Sequence, residues 1–281
     1  MMIFLSFMVM LLFILNCFIS NIIVWWSSFL LMTIMFILIN KVNLSFSSLM
    51  NYFIIQETAG MLFLLLNFTM LQFLVILLKI GVAPLHFWIF SITNNLYGQG
   101  VIWFLTFQKL PFFPIILYLL QNSYLYLFII GIMFCYFQLF SLKNYKNMLV
   151  LSSTESFNWI ILISISSFFS SLMFFLYYFF IMIFMLDYNN KKDSSFYNWE
   201  TVLVFMNLPL SITFFIKIFS LISVFQYNSF IVLLILFLMF LSMLSFGFWL
   251  VNISTKFYFE QLNNKVSYYF IIFPLMFLCL F

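Results

Sequence analysis

The chain has 281 residues, of which 67% are hydrophobic and 6% are charged, and its formal net charge is +4. Soluble domains carry about 25% charged residues. The composition therefore excludes a water-soluble domain and indicates an all-α, polytopic membrane protein.

Eleven apolar spans follow one another along the sequence. Most approach the ~20 residues that a helix needs to cross a bilayer. The spans are predicted at 2–19, 22–39, 49–68, 70–90, 100–121, 123–141, 146–167, 170–187, 200–226, 229–252 and 267–281. We therefore treat residues 1–281 as one transmembrane domain.

Lysines in the connections between spans fall on one side only. Connections after even-numbered spans hold seven lysines, and connections after odd-numbered spans hold none. The seven are Lys41, Lys143, Lys146, Lys191, Lys192, Lys256 and Lys265. Lysine-rich loops remain in the cytoplasm or, in a mitochondrion, in the matrix. We expect the N-terminus on that side and, after eleven spans, the C-terminus on the other.

Spans 3 and 4 carry the first two charges that fall inside the bilayer, Glu57 and Lys79. Glu57 lies twelve residues before the turn near residue 69, and Lys79 lies ten residues after it. At about 1.5 Å of rise per residue, their depths differ by only about 3 Å. The two side chains are therefore expected to be able to meet, with Glu57 gating the protonation of Lys79.

The helix of span 4 is predicted to break at Pro84, five residues after Lys79. His86, the single histidine of the chain, follows the break. Two interpretations of His86 stay open. It relays protons between Lys79 and the lysine-rich side, or it caps backbone groups that the break releases.

Three further charges lie inside later spans: Lys109 in span 5, Glu155 in span 7 and Lys217 in span 9. An ionisable residue at the bilayer centre costs ~2.5–3.5 kcal/mol. We therefore predict that the buried charges line a proton path, because burial disfavours the ammonium and lets lysine release a proton. The alternative is structural ion pairing that fixes the register of the helices.

The break in span 4 has a counterpart in span 9, where Pro209 precedes Lys217. The two spans are five helices apart, so a five-helix repeat would be inverted in the membrane. We predict a first inverted repeat at 1–121, a second at 122–252 and a C-terminal helix at 267–281. Inverted repeats with broken helices in matching positions are typical of transporters.

No cofactor or metal site is predicted in this chain. The longest loop, 188–199, is too short for a flavin, nucleotide or iron–sulfur domain, and no Gly-rich phosphate loop is present. The three cysteines share no metal-ligand spacing; they are Cys17, Cys135 and Cys279.

Four motifs carry a family resemblance: "LLKIGVAPLHFW", "TFQKLP", "YKNMLVLSSTES" and "LPLSITFFIK". In order and spacing they resemble NADH–ubiquinone oxidoreductase chain 2 of mitochondrial complex I, over about residues 20–225. The short, Phe-rich and Arg-free chain is similar to the nematode version of that family.

The resemblance implies an antiporter-like subunit in the complex I membrane arm, which translocates protons as distant quinone reduction proceeds. Lys79 and Lys217 match the two broken-helix lysines of the family, and Lys109 matches the lysine that bridges the half-channels. NADH, FMN, iron–sulfur clusters and ubiquinone are then bound by other subunits. The expected partners are those subunits, including sibling antiporter-like chains, and lipids such as cardiolipin, with no nucleic acid. The expected location is the mitochondrial inner membrane.

The sequence departs from the family pattern in span 2. Leu30 occupies the place of the family's glutamate, and span 2 has no acidic residue. Either the half-channel works without its gating carboxylate, or Glu57 supplies it from the next helix, and we favour the second. Glu155 also stands where relatives often have histidine.

Two other functions remain open from the sequence. A free-standing cation/proton antiporter would need a cation site, usually a mid-membrane aspartate, and none is visible. A structural membrane-arm subunit that no longer pumps is the other alternative, and the missing span 2 glutamate keeps it open.

Overall fold

The structure, a computed structural model, describes residues 2–41, 44–96, 99–142, 144–166, 168–186, 212–225 and 229–256. Within these ranges the regular secondary structure is helical throughout, without a β-strand. The helices are α1 (Met2–Phe18), α2 (Ile22–Asn40), α3 (Phe46–Leu65), α4 (Thr69–Ile80), α5 (Phe87–Thr93), α6 (Gln99–Leu105), α7 (Phe113–Leu119), α8 (Leu125–Ser141), α9 (Tyr145–Ser166), α10 (Phe168–Leu186), α11 (Ile212–Phe225) and α12 (Ser229–Lys256). Two 3₁₀ turns join them, at Phe107–Lys109 and Asn122–Tyr124.

The helices confirm the all-α membrane class. Four stretches of the described chain are long and apolar enough to cross a membrane: Ile22–Asn40, Phe46–Leu65, Asn122–Ser141 and Lys146–Ile165. Shorter apolar helices include Phe4–Phe18, Thr69–Ile80 and Val232–Phe248. The count of eleven spans and the inverted repeats stay predictions. Span 11 and the part of span 9 that holds Pro209 lie outside the described residues, as do Lys143, Lys191, Lys192 and Lys265.

Polar side chains lie inside the bundle, and large apolar side chains cover its surface. Helix α9 is the central element, since it packs against α5, α8, α10 and α11. The polar residues in the middle of α9 are buried: Ser152, Ser153, Thr154, Glu155, Ser156 and Asn158. Outward-facing phenylalanines such as Phe18, Phe230 and Phe248 are among the most exposed residues. This distribution suits a lipid environment, where polar groups must be satisfied within the protein.

The predicted break in span 4 is present between α4 and α5. Helix α4 ends at Ile80, and Gly81 follows with a left-handed φ of 74°, a conformation that favours glycine. The backbone carbonyls released around the break accept hydrogen bonds from side chains. Trp88 Nε1 donates to Leu78 O at 2.9 Å, and Asn158 Nδ2 of α9 donates to Ala83 O at 3.4 Å.

Span 5, which we predicted as one helix, is also broken. It divides into α6, the 3₁₀ turn at Phe107–Lys109 and α7. Pro111 has no N–H to continue the helical ladder, and Pro114 lies at the start of α7, where proline is tolerated. Asn16 Nδ2 of α1 donates to the released Pro111 O at 2.8 Å. Lys109 therefore lies in a discontinuous segment as well.

One contact joins the connection after span 4 to the connection after span 6, at the same end of the bundle. Lys146, at the start of α9, donates from Nζ to Asn94 O at 3.2 Å and also to Leu96 O. These carbonyls belong to the connection after span 4, and Lys146 follows span 6. The contact agrees with the prediction that connections after even-numbered spans lie on the same side. Which side of the membrane they face stays a prediction.

Candidate proton-transfer site

All three lysines predicted inside spans are buried. Lys79 is 2% exposed, Lys109 is 4% exposed and Lys217 is 2% exposed. None of these amines reaches the surface of the bundle. Each lies close to at least one hydrogen-bond acceptor and one aromatic ring.

Lys79, in the last turn of α4, is tied to Gln56 of α3 by two hydrogen bonds. Lys79 Nζ donates to Gln56 O at 2.9 Å, and Gln56 Nε2 donates to Lys79 O at 2.9 Å. The Nζ atom also lies 4.7 Å from the centre of the Phe29 ring, within cation–π distance. The lysine is therefore held by neutral groups.

Glu57 does not form the direct ion pair with Lys79 that equal depth made possible. Its side chain is half-buried, and a hydrogen bond of 3.0 Å joins Glu57 Oε1 and Thr33 Oγ1 of α2. Within the described residues no salt bridge joins Glu57 to a lysine. The two charges are nevertheless close enough to interact electrostatically.

The bond to Thr33 brings the Glu57 carboxyl group to helix α2. Thr33 is one turn after Leu30, the residue that replaces the family's span 2 glutamate, and its Oγ1 lies 2.8 Å from Leu30 O. A carboxyl group from α3 thus lies beside the part of α2 where the sequence lacks one. The role of Glu57 as a substitute stays a prediction.

Lys109 lies in the interrupted segment of span 5. Its Nζ donates to Ser153 O of α9 at 3.4 Å and lies 5.0 Å from the centre of the Phe157 ring. No salt bridge to Lys109 is present in the described part of the chain. Of the three lysine amines, that of Lys109 has the longest polar contact.

Glu155 and Lys217 form a buried ion pair between α9 and α11. Glu155 Oε1 also accepts a hydrogen bond of 3.2 Å from Trp159 Nε1, one turn later on α9. Lys217 Nζ lies 5.9 Å from the centre of the Tyr136 ring. Both charged residues are at most 3% exposed by side chain.

The ion pair and Lys109 belong to one cluster. Ser153, which binds Lys109, precedes Glu155 by two residues on α9. Cys135 of α8 lies within electrostatic reach of Lys109, Glu155 and Lys217, and its Sγ is 3.9 Å from Thr154 Oγ1. The structure therefore brings together three of the six predicted site residues around α9.

A row of uncharged side chains, which the sequence analysis missed, extends from the Lys79 neighbourhood to that of Lys109. Tyr52 and Gln56 lie one turn apart on α3, and both are 0% exposed. Gln108 Nε2 donates to Tyr52 Oη at 2.6 Å, and Gln108 directly precedes Lys109. Gln56 Oε1 and Gln108 Oε1 have no hydrogen-bond partner among the described residues. The glutamines carry no charge, so no sequence signal distinguished them from packing residues.

His86 is fully buried but is not hydrogen-bonded to a lysine in the described structure. Its Nε2 lies 2.5 Å from Gln138 Oε1 of α8, and its ring stacks on Phe87. The contact joins the segment after Pro84 to α8, and both interpretations of His86 stay predictions.

In the part of the chain that the structure describes, these features define a class: an all-helical membrane protein with two interrupted spans and buried lysines. No protein-family model matches the chain. It is 52% identical over 277 residues to NADH-ubiquinone oxidoreductase chain 2 of Caenorhabditis elegans, covering 98% of each chain. It is 48% identical over 276 residues to the same chain of Ascaris suum, covering 98% of this chain and 92% of that one.

The chain therefore belongs to the NADH-ubiquinone oxidoreductase chain 2 family. Both relatives are nematode proteins, and the similarity extends over nearly the whole chain. The resemblance that the four sequence motifs indicated is confirmed.

Proposed function

We propose that the chain is a proton-translocating, antiporter-like subunit of respiratory complex I in the mitochondrial inner membrane. The observation that carries the proposal is the burial of Lys79, Lys109 and Lys217 beside polar groups of a discontinuous bundle. Buried ionisable residues in membrane spans mark ion and proton pathways. The names of the two nematode relatives support the assignment to the complex.

Protons enter from the side of the lysine-rich loops and reach Lys79 first in this proposal. Tyr52, with Gln56 and Gln108 beside it, then links Lys79 to Lys109. A tyrosine hydroxyl both accepts and donates hydrogen bonds, so it passes protons between bound waters, whereas the amides only orient those waters. Release occurs beyond Lys217, on the opposite side of the membrane.

The two glutamates set the charge of the outer lysines. An adjacent carboxylate favours the ammonium form of a lysine, and withdrawal of the carboxylate favours release of the proton. Glu155 is paired with Lys217, whereas Glu57 is bonded to Thr33 and not to Lys79. In this proposal Lys217 therefore retains its proton, whereas Lys79 is ready to exchange one.

Lys109 couples the protonation of Lys79 to the protonation of Lys217. Its amine binds the Ser153 carbonyl, two residues from Glu155 on the same helix. A proton that arrives on Lys109 places a second positive charge near the Glu155–Lys217 pair. In a low-dielectric interior this repulsion weakens the hold on the Lys217 proton.

The redox chemistry belongs to other chains in this proposal. NADH oxidation and quinone reduction take place in other subunits, which bind FMN, iron–sulfur clusters and ubiquinone. This chain contributes side chains that hold and move protons, and sibling antiporter-like chains are its expected neighbours in the membrane arm.

The test is the substitution Lys109→Met in the assembled complex, reconstituted into sealed vesicles. Protons translocated per electron are measured together with the rate of NADH oxidation. We expect fewer protons per electron, because methionine fills the site and cannot carry a proton. Lys41→Met is the matched control, since Lys41 is exposed at the end of α2 and outside the site.

Unchanged protons per electron in Lys109→Met would overturn the pumping role and leave a structural subunit. Recovery of the chain as a separate, active cation/proton antiporter would support the free-standing alternative. We expect instead that it purifies only with the large assembly.

A further inference from the structure

Gly60, a buried residue of α3, lies beside the amine of Lys79. A Cβ atom on Gly60 would lie 3.2 Å from Lys79 Nζ and 3.7 Å from Trp26 Nε1 of α2, the two nearest atoms from other helices. Because glycine has no side chain, the two nitrogen atoms instead face a small space next to α3. Nitrogen atoms from α2 and α4 therefore converge on one place.

Both nitrogen atoms can donate a hydrogen bond into this space. The indole Nε1 of Trp26 is a donor only, and it is buried without a partner among the described residues. Lys79 Nζ donates one hydrogen to Gln56 O. A neutral amine carries two hydrogens and an ammonium carries three, so a further N–H is available in either protonation state of the lysine.

A water molecule matches these two donors. Its oxygen has two lone pairs, one for the Trp26 indole and one for the Lys79 amine, and its own two hydrogens stay available for further acceptors. Buried donors without a partner are rare in proteins, and buried waters commonly satisfy such groups. The carboxyl group of Glu57, three residues before Gly60, is instead bonded to Thr33.

We propose that Gly60 and Trp26 form a binding site for one water molecule that is hydrogen-bonded to the Lys79 amine. Tyr52, Gln56 and Gly60 follow one another at intervals of four residues, so they lie along one face of α3. The water site is therefore one turn beyond Gln56, on the side away from Tyr52. The water gives Lys79 a second contact for proton exchange, and this role rests on the proposed function.

A high-resolution structure of the assembled complex tests the site directly. We expect a water within hydrogen-bond distance of both Trp26 Nε1 and Lys79 Nζ in wild type, and no water there in Gly60→Ala. Close-packed apolar side chains at that place in wild type would overturn the proposal, and so would a carboxyl oxygen of Glu57. The wild-type result decides the matter whether or not any variant assembles.

Two substitutions of Gly60 separate the polarity of the site from its volume. Alanine adds a methyl group that fills the space, whereas serine adds a group of similar volume whose hydroxyl accepts and donates hydrogen bonds. We expect protons per electron to fall in Gly60→Ala and to recover in Gly60→Ser. Alanine and serine both form helices better than glycine, so the loss in Gly60→Ala does not come from a weakened helix.

An equal loss in Gly60→Ala and Gly60→Ser would show that only volume matters and would overturn the role of the water. Full pumping by Gly60→Ala would overturn that role as well.

The variant Trp26→Phe tests the second donor. It removes the indole N–H but keeps an aromatic ring, so we expect the water to be lost and protons per electron to fall. Trp25→Phe is the matched control, because Trp25 Nε1 donates to Ile19 O at 2.8 Å and not into the site. An equal fall in both variants would show a general need for indole rings and would overturn the assignment of Trp26.

The position of the water is measured independently of pumping, so two failures can be distinguished. If Lys109→Met leaves protons per electron unchanged while the water is found, the transport role is wrong and the water site stands. If Lys109→Met lowers protons per electron but the water is not found, only the water site is wrong.

Discussion

The Lys79 region and the Lys217 region each combine a buried lysine with a glutamate, but they arrange the pair differently. Lys217 forms an ion pair with Glu155, and Trp159 binds the same carboxylate oxygen. Lys79 is bonded to a backbone carbonyl, and Glu57 is bonded to a threonine. A buried lysine and a nearby glutamate can therefore be held as an ion pair or bonded separately to neutral groups.

The largest expected effect is the loss of the Glu155 charge. Glu155→Gln leaves Lys217 as a buried ammonium without its carboxylate, which typically costs about 3–5 kcal/mol. Glu57→Gln breaks no ion pair and should cost far less. Thermal unfolding of the assembled complex compares the two variants.

Removing both charges sharpens this comparison. The double variant Glu155→Gln with Lys217→Met should recover much of the lost stability, because no unpaired charge remains. Equal destabilisation by Glu155→Gln and Glu57→Gln would contradict the distinction between the regions.

An intermediate loss of stability is expected at Gly131, where α8 contacts the break in span 4. A Cβ atom on Gly131 of α8 would lie 2.3 Å from Ala83 O in the break of span 4. Gly131→Ala should therefore displace that segment and destabilise the protein by about 1–3 kcal/mol. Ile130→Ala on the exposed side of the same helix is the control, and a similar loss of stability in both variants would count against close packing at Gly131.

Of these variants, Tyr52→Phe is expected to have the smallest effect on stability. Its effect on transport is expected to be larger. The change removes one buried hydroxyl and its bond with Gln108, worth about 1 kcal/mol. Protons per electron should fall because the link between Lys79 and Lys109 is cut. Tyr124→Phe removes a buried hydroxyl elsewhere, and identical pumping in the two variants would show that Tyr52 is not part of the path.

Much of the site could be predicted from charge alone. Lysines inside apolar spans had to be buried, and Pro84 required a break after Lys79. Depth along the helix axis put Glu57 within possible reach of Lys79, but depth does not fix rotation about that axis. Adjacent residues point about 100° apart, and it is Gln56 that meets Lys79.

The rest of the site depends on neutral polar residues and local geometry. Span 5 is mostly apolar, so the effect of Pro111 on the helix was overlooked. Thr33, Tyr52 and Gln108 carry no charge, and an apolar helix often contains such residues for packing alone. Their partners lie on other helices, which a pattern along one helix cannot reveal.

The most direct test of the central claim is the location of ordered water in the assembled complex at high resolution. We expect waters bound at Gln56 Oε1 and Gln108 Oε1, two acceptors that have no partner among the described residues. We also expect these waters to continue past Ser153 to the Glu155–Lys217 pair. Dry, close-packed side chains between the three amines would contradict a proton path through this chain.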